Sequence, residues 1–444
     1  MPKRQEKLEL SPKTPNPWVM WLWLYKNLMR GATPVLVPYL QRRVTRGKED
    51  PARLAERRGL TEHIRPHGRL VWLHGASVGE AQSLLALINR LLDANPDLHV
   101  MVTTGTVTSA KLMADRLPAR AFHQYIPIDQ PAWVARFLDH WHPDLAVWSE
   151  SELWPNLLAG VKKRGIPAVL VNARLSARSF GRWQKLGTVA KTLLGTFNLC
   201  LAQNDAEGQR LIALGAPHVA VSGNLKYASS PLPADHDNLT KLQQATAARP
   251  VILWASTHPG EESVAARAHI ALRAINPRIL TIIAPRHPAR GNDIAHLARG
   301  FDLKATQRSQ GGLPTDADDI YVADTMGEMG LFYRLAPSCI IGGSFVPHGG
   351  HNPIEPAQLG CLIFYGPYMF NFVSICHDFE SRQAAIALKD EAGLVTALGT
   401  WLQSPDTFKP VADAASAWVS SQAHIVDDVC RAITALLPAQ GGDA

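Results

Sequence analysis

The stretch CIIGGSFVPHGGHNPIEPAQLGCLIFYGPYMFNF, Cys339 to Phe372, decides how the chain is read. It opens on a short apolar run, Cys339-Ile340-Ile341, with the character of a strand buried on both faces. The run breaks into Gly342-Gly343-Ser344, and a second pair, Gly349-Gly350, leads into His351-Asn352-Pro353-Ile354-Glu355-Pro356. A helical run follows, then a second buried strand at Leu362–Phe364. A strand, a glycine-rich loop and a helix start form the unit in which backbone N–H groups and the helix dipole hold an anion. Pro353 suits the first turn of that helix, where its missing N–H costs nothing. Glu355 then sits one turn in, facing the loop, where a carboxylate accepts two ribose hydroxyls. The competing reading is an ordinary strand–turn–helix whose glycines serve only the turns.

Outward from this stretch the same alternation recurs. Toward the N-terminus, buried strands are expected at Leu70–Leu73, Val100–Thr103, Leu145–Trp148, Ala168–Val171, Leu199–Ala202 and Val219–Val221. Helical windows such as Glu80–Asp93 and Leu153–Arg164 lie between them. Continuous apolar strands alternating with helices mean a parallel sheet covered on both faces. The pattern stops after Leu225 in a Pro-rich polar segment. It restarts with strands at Val251–Trp254, Ile279–Ala284, Ile320–Val322, Cys339–Ile341 and Leu362–Phe364. Two α/β halves joined by one linker result. The expected division is a basic segment at 1–60, an N-terminal domain at 61–228, a linker at 229–240 and a C-terminal domain at 241–444. Residues 408–436 read as a closing helix.

Composition bounds the class. Of 444 residues, 46% are hydrophobic and 19% charged, as in a globular protein with sizeable cores. The five cysteines are far apart, form no CxxC pair and mostly lie in apolar runs, so buried thiols in a reducing compartment are expected over disulfides or a metal site. The net charge of +7 is concentrated at one end: residues 1–60 hold thirteen Lys/Arg against five Asp/Glu, +8, leaving −1 for the other 384. A nucleic-acid groove spread over the fold is therefore not expected, and a local cationic patch is.

Inside that patch lies Pro17-Trp-Val-Met-Trp-Leu-Trp-Leu-Tyr25, followed by Lys26 and Arg30. The apolar run is well short of the roughly 20 residues that span a bilayer, and no signal-peptide cleavage site follows promptly. Trp18, Trp21, Leu22, Tyr25, Leu28 and Met29 share one helical stripe, with Arg42, Arg43, Arg46 and Lys48 continuing the cationic flank. Such a helix lies on an anionic leaflet. Packing on the protein's own core is the competing reading.

In doubly wound sheets, ligands bind beyond the carboxyl ends of the strands. Residues just after the N-terminal strands include Glu80, Glu150 and Glu152; those after the C-terminal strands include Arg286, His287 and the glycine-rich loops. Carboxylates in one half and anion-binding groups in the other suit transfer of a group from a nucleotide to a hydroxyl. The carboxylate takes the acceptor's proton, while cations and dipoles hold the departing phosphate.

The segments HGASVGE, SESELWPN, NARLS, GNLK, ASTHPGEE, PRHP, DTMGEMGLFY and GGSFVPHGGHNPIEPA, in this order, resemble the 3-deoxy-D-manno-octulosonic acid (Kdo) transferases of Gram-negative lipopolysaccharide synthesis. The resemblance runs from about residue 20 to residue 375. It implies a GT-B fold, two Rossmann-like doubly wound parallel-sheet domains facing across a cleft. It further implies a CMP-Kdo donor, a lipid A precursor (lipid IVA) as acceptor, inverting transfer to its 6′-hydroxyl, no cofactor and no catalytic metal. Location at the cytoplasmic face of the inner membrane is implied too, and it suits the expected anionic-membrane contact through residues 1–60. Carried over position by position, Glu80 resembles the general base, with a dipole-stabilised helix-N-terminal Glu as the plainer reading. Glu150 and Lys226 match the transition-state stabilisers; their plainer readings are a buried ion pair and a solvated loop lysine. Pro285, Arg286, Met326, Gly327, Glu328, Asn352, Pro353, Ile354 and Glu355 match the CMP-binding positions. Two departures stand out: Ser151 where Thr is usual, and His348 where Arg is frequent. Trp141, Trp148 and Trp154 are expected in the core, and His123 and His142 are expected to be structural. The rival classes are a nucleotide-sugar epimerase or UDP-sugar transferase on the same fold, and an inert membrane-bound nucleotide sensor.

Overall fold

The structure is a computed structural model that describes residues 17–247 and 249–438. The described residues divide into two compact units, residues 17–229 with 424–438, and residues 230–423. Each unit carries a seven-stranded, wholly parallel sheet. In the first, β1 (Arg69–His74), β2 (Leu98–Thr104), β3 (Ala121–Tyr125), β4 (Leu145–Ser149), β5 (Ala168–Ala173), β6 (Leu199–Ala202) and β7 (Val219–Val221) take the order 3-2-1-4-5-6-7. In the second, β8 (Val251–Thr257), β9 (Leu280–Pro285), β10 (Ala305–Gln307), β11 (Ile320–Val322), β12 (Ser338–Ile341), β13 (Leu362–Tyr365) and β14 (Ile386–Ala387) run 10-11-9-8-12-13-14.

The strands are continuous apolar runs because both faces of each sheet are covered. Along β1, Leu70 and Trp72 enter one core layer with Phe137, Trp141 and Trp148, while Val71 and Leu73 enter the other with Leu84, Leu87 and Leu91. Period-two alternation thus feeds two apolar layers instead of one apolar and one wet face. Trp72 meets Trp148 edge-on, with ring centroids 4.6 Å apart. All five cysteine thiols are free and buried.

The structure departs from sequence expectation at the margins. Three strands, β3, β10 and β14, were not expected; all three are edge strands, paired on one side only. Their sequences, AFHQY, ATQ and IA, are too polar or too short to stand out. The expected linker at 229–240 overlaps a helix, His236–Ala245, capped by Asp235, whose carboxylate accepts from Asn238 N at 2.8 Å. The C-terminal boundary also differs. Residues 408–436 form two helices, Lys409–Ser421 and Ile425–Thr434. The second belongs to the first unit, where Ile425, Val429 and Ile433 complete the layer under Val71 and Leu73.

In an open sheet the crevice lies where strand order reverses. That point falls between β1 and β4 in the first unit and between β8 and β12 in the second. The chain leaving β1 carries Glu80 and the chain leaving β4 carries Glu150; the chain leaving β8 carries His258 and the chain leaving β12 carries the glycine-rich loop.

Candidate active site

In the first unit, Ser77 caps the helix Val78–Ala94 and Glu80 occupies its third position. The two form a variant of the capping box, in which the Glu80 carboxylate returns to Ser77 Oγ and Ala76 N in place of the Ser77 N–H. Ser77 Oγ accepts from Glu80 N at 3.2 Å and donates to Glu80 Oε1 at 2.8 Å, and Ala76 N donates to Glu80 Oε2 at 3.0 Å. The signature Ser-x-x-Glu was legible in the sequence but was not singled out there. Glu80 is only 8% exposed. Burial raises its pKa, and the charges of Glu150 and, to a smaller degree, Glu152 raise it further, against the two hydrogen bonds that lower it. The dipole of this helix favours the ionised form, while desolvation and the like charge of Glu150 work against it. A carboxylate with a raised pKa is a stronger base.

Glu150 follows β4 with φ +60, a left-handed conformation uncommon for a residue with a side chain. Its carboxylate takes an ion pair from Lys226, Nζ to Oε1 2.9 Å, with both side chains about one-fifth exposed. Lys226 is held by its backbone: Asn224 Oδ1 accepts from Lys226 N at 3.0 Å, and Asn172 Oδ1 from Leu225 N at 3.1 Å. Asn172, itself buried and at φ +52, was passed over as a polar residue after a strand. Burial also raises the pKa of Glu152, and Glu150 adds to it. Glu80, Glu150 and Glu152 are thus electrostatically coupled, and Lys226 joins them through its ion pair with Glu150. Trp141 and Trp148 are core residues, but Trp154 is 37% exposed. His123 is buried, bonded to Thr104 Oγ1 at 2.9 Å, and burial lowers its pKa to about 3. His142 ends the helix Pro131–Trp141 at φ +37.

In the second unit the glycine-rich loop is folded on itself. The first loop's N–H groups already hold an anion, the protein's own Glu261. That carboxylate accepts from Gly343 N at 2.7 Å, Ser344 N at 3.1 Å, Phe345 N at 3.0 Å and His258 N at 2.9 Å. Glu261 is fully buried. The expectation that these N–H groups receive a ligand anion is corrected, because an internal carboxylate satisfies them. The glycines have packing reasons. A Cβ on Gly342 would stand 2.3 Å from Ser256 O, and one on Gly350, at φ +75, 2.1 Å from Met369 Sδ.

The other C-terminal candidates lie beside this loop or along the same sheet edge. Pro353 precedes the helix Ile354–Gln358 as its cap instead of standing inside it, so Glu355 is its second residue. Asn352 Nδ2 donates to Glu355 Oε1 at 3.3 Å, and Asn352 Oδ1 accepts from Ile354 N at 3.2 Å. Pro285 ends β9, and Arg286 N donates to Thr257 O at 3.0 Å. Met326 is exposed and Gly327 has φ +82, so this turn stands open. The Glu328 carboxylate is held by Arg308, at 2.7 and 3.1 Å, and by Thr325 Oγ1; Arg308 lowers its pKa most. Four histidines converge here. His258 Nε2 lies 2.9 Å from His351 Nε2, and His348 stacks on His258 with ring centroids 3.8 Å apart. His287 stands edge-on to His258 at 6.5 Å. Sequence reading quoted these residues without joining them, since they come from three separate loops. Among the described residues, no group of three or more His, Cys, Asp or Glu side chains is arranged to hold a metal ion.

The N-terminal helix Pro17–Gly31 divides its apolar residues between two faces. Trp21 packs against the core, and Tyr25 Oη donates to the buried Asp129 at 3.1 Å. Met20, Trp23, Leu24 and Leu28 are 61–66% exposed, and Val35 and Tyr39 on the next helix, Thr33–Thr45, are exposed as well. Of the expected stripe, Trp21 and Tyr25 therefore face the protein while Leu28 is exposed, and the outward apolar face is centred on the neighbouring Met20, Trp23 and Leu24; the side chain of Trp18 lies outside the described residues. No helix among the described residues is long and apolar enough to cross a membrane.

Comparison with known proteins adds four findings. Residues 52–229 match the family described as 3-deoxy-D-manno-octulosonic-acid transferase (kdotransferase). The 3-deoxy-D-manno-octulosonic acid transferase of Rickettsia bellii is 34% identical over 418 residues, covering 94% of this chain and 99% of that one. The Haemophilus influenzae protein of the same name is 33% identical over 379 residues, covering 84% and 88%. In fold, a glycosyltransferase from Rickettsia africae superposes with a TM-score of 0.58 at 12% identity, covering 84% of this chain and 99% of that one.

Proposed function

The chain belongs to the 3-deoxy-D-manno-octulosonic acid transferase family, glycosyltransferases of GT-B fold, and from that premise we propose that it transfers Kdo from CMP-Kdo to the 6′-hydroxyl of a lipid A precursor, with inversion. The observation that carries this reading is the carboxylate group at the strand-order reversal of the first unit. Glu80, with its raised pKa, is the general base; it takes the proton of the attacking hydroxyl as the new glycosidic bond forms. Glu150 and Lys226 act as a unit. The ion pair fixes both charges beside the reacting centre, where they stabilise the oxocarbenium character of the departing sugar. The donor belongs to the second unit, with Glu355 on the ribose hydroxyls and Arg286 on the phosphate; Pro285, Met326, Gly327, Glu328, Asn352, Pro353 and Ile354 frame the nucleotide. One base and one leaving phosphate suffice for a single inverting displacement, and no cofactor or metal enters this scheme.

The acceptor is an amphiphile, and the exposed face of the first two helices suits a membrane surface. Met20, Trp23, Leu24, Leu28, Val35 and Tyr39 offer apolar insertion, and Arg30, Arg42, Arg46 and Lys48 beside them are exposed. An open groove of about 570 Å³ between Met20, Trp23, Leu24 and Leu186 continues this face. We place the protein at the cytoplasmic side of the inner membrane, where this face would meet the leaflet.

The test is direct. Incubation with a tetra-acylated lipid A precursor and CMP-Kdo generated in situ yields, by mass spectrometry, the precursor plus Kdo. Calorimetry gives tighter binding of CMP than of UDP, and Glu355→Ala weakens CMP by about 1.5–3 kcal/mol for each lost bond. Equal binding of CMP and UDP, with no Kdo adduct, would favour a different nucleotide-sugar enzyme on this fold.

A further inference from the structure

The histidines of the second unit form more than a polar lining. His258 leaves β8 after a bulge at Ser256, which has φ +62. His351 comes from the loop after β12, the strand next to β8. Their Nε2 atoms stand 2.9 Å apart, and their rings are parallel to within 4°. Two imidazole nitrogens at this distance share one hydrogen. One ring donates from Nε2 and keeps a lone pair on Nδ1, while the other accepts at Nε2 and carries its own hydrogen on Nδ1. A second proton on the remaining lone pair would leave the Nε2–Nε2 bond intact. The pair is built to exist in two charge states with one geometry.

From this we propose that the His258–His351 pair is a proton-accepting anion site, which gains one proton when a phosphate monoester binds beside it. The proposal rests on the donor reading above and deepens it, by naming how the second unit meets the charge of the nucleotide phosphate. It answers a question left by the loop: Glu261 occupies the N–H groups of residues 343–345, so other groups must supply positive charge here.

The surroundings set the balance. Around the pair stand His348, stacked on His258; His287, edge-on to it; and Arg286. Glu262 also faces His258, but Arg290 pairs with it at 2.6 Å, and Glu261 is spent on backbone N–H groups. Burial is the first cause that lowers both pKa values to about 4, with Arg286 and the neighbouring histidines adding to it, so the pair is neutral at pH 7 without ligand. A doubly negative phosphate reverses the sign of that field. An opposite charge within about 4–6 Å raises a pKa by roughly 1–3 units, enough to bring the pair toward neutrality of pH. Protonation then neutralises one phosphate charge, adding to the fixed charge of Arg286. The proton comes from solvent and returns to it when the nucleotide leaves.

The experiment is calorimetry of CMP with the full-length protein at pH 7.0 to 7.5, where free CMP is mostly dianionic, in buffers of different ionisation heat. Wild type takes up part of a proton per CMP, at most about half at pH 7.0 and about a quarter at pH 7.5 for a pair raised to about 7. Its CMP affinity falls with rising pH across that range, with a slope equal to the proton uptake, and levels off above it as the bound pair also loses its proton. Cytidine, which lacks the phosphate, binds with no uptake. His258→Asn and His351→Asn each abolish the uptake while CMP still binds. Circular dichroism of each variant checks that the fold is kept, and wild type with cytidine provides the same contrast without any substitution. CMP binding without proton uptake, uptake equal for cytidine, or uptake that survives in both variants overturns this inference and leaves the donor reading standing. Failure of the folded wild type to bind CMP overturns the donor reading, and this inference with it.

Discussion

At the scale of single residues, the proposed mechanism gives Glu80 two jobs whose demands conflict. As the third residue of a capping box it is tied to Ser77 and Ala76 N. As a base it must accept a proton that those hydrogen bonds disfavour. Burial and Glu150 outweigh them and leave a raised pKa. Glu80→Gln retains a capping side chain and removes the basicity, so kcat falls by about 10²–10⁴-fold with the melting temperature and CMP affinity unchanged. A Gln variant that keeps most of its turnover would move the role to Glu150 or Glu152. Lys226 sharpens the test. It neutralises Glu150 across 2.9 Å, so Lys226→Ala exposes Glu80 to an uncompensated negative charge and raises its pKa further. A base works only when deprotonated, so the acid limb of kcat/KM moves to higher pH in Lys226→Ala. A limb that stays put or moves down would show that the two carboxylates are not coupled.

At the scale of elements, the first helix separates two readings that the sequence left entangled. Its inward residues anchor it, and its outward ones are free to insert. Tyr25 Oη bonds to Asp129, which also accepts from Asn156 N at 3.0 Å and Leu157 N at 2.8 Å. Substituting Trp21 or Tyr25 by Ala therefore lowers thermal stability. Substituting Trp23, Leu24 and Leu28 by Glu leaves the melting temperature within a degree or two but releases the protein from anionic vesicles. Each loss is about tenfold or more in partitioning, since a buried apolar side chain is worth about 1.5–3 kcal/mol. High salt weakens the wild-type attachment without abolishing it, because insertion is not screened. Equal sedimentation of wild type and the triple variant with vesicles would mean that this face serves another purpose.

At the scale of the whole molecule, acid stability follows from histidines buried without charge. His74, 1% exposed, has its pKa lowered to about 4 and His123 to about 3, each mainly by burial. Near pH 7 neither state of the protein protonates them and stability is complete. Below an unfolded-state pKa of about 6.5, the unfolded chain binds protons that the native one refuses. Stability falls from about pH 6.5 downward and continues to fall to about pH 4 or 3. Each group contributes on the order of 3 kcal/mol at the end of that range. Asp129 acts in the opposite direction: burial raises its pKa to about 7, so its cost grows as pH rises from about 4 to 7. Calorimetric melting temperatures should drop steeply below about pH 6, and His123→Gln should flatten the slope. An unchanged slope would place the acid sensitivity elsewhere.

Central strands such as Leu70–Leu73 and Cys339–Ile341 were legible in the sequence because a strand buried on both faces is apolar at every position, a local property. The edge strands Ala121–Tyr125, Ala305–Gln307 and Ile386–Ala387 were not, since pairing on one side asks little of composition. At the site, Glu80, Glu150 and Lys226 stand where the ends of strands suggested, because in a parallel sheet the residues after each strand must gather at one edge. That Ile425–Thr434 completes the first unit's core depends on contacts across more than 300 positions, between Arg90 and Asp427 for example. Which anion the glycine loop holds was likewise decided only by the fold. Glu261 stands 82 residues before Gly343, and no local pattern reveals that a loop's N–H groups are already satisfied. The His258–His351 contact, 93 residues apart in the chain, is of the same kind. Local sequence determines which backbone groups and side chains are available, and only tertiary packing decides which of them find their partners inside the protein.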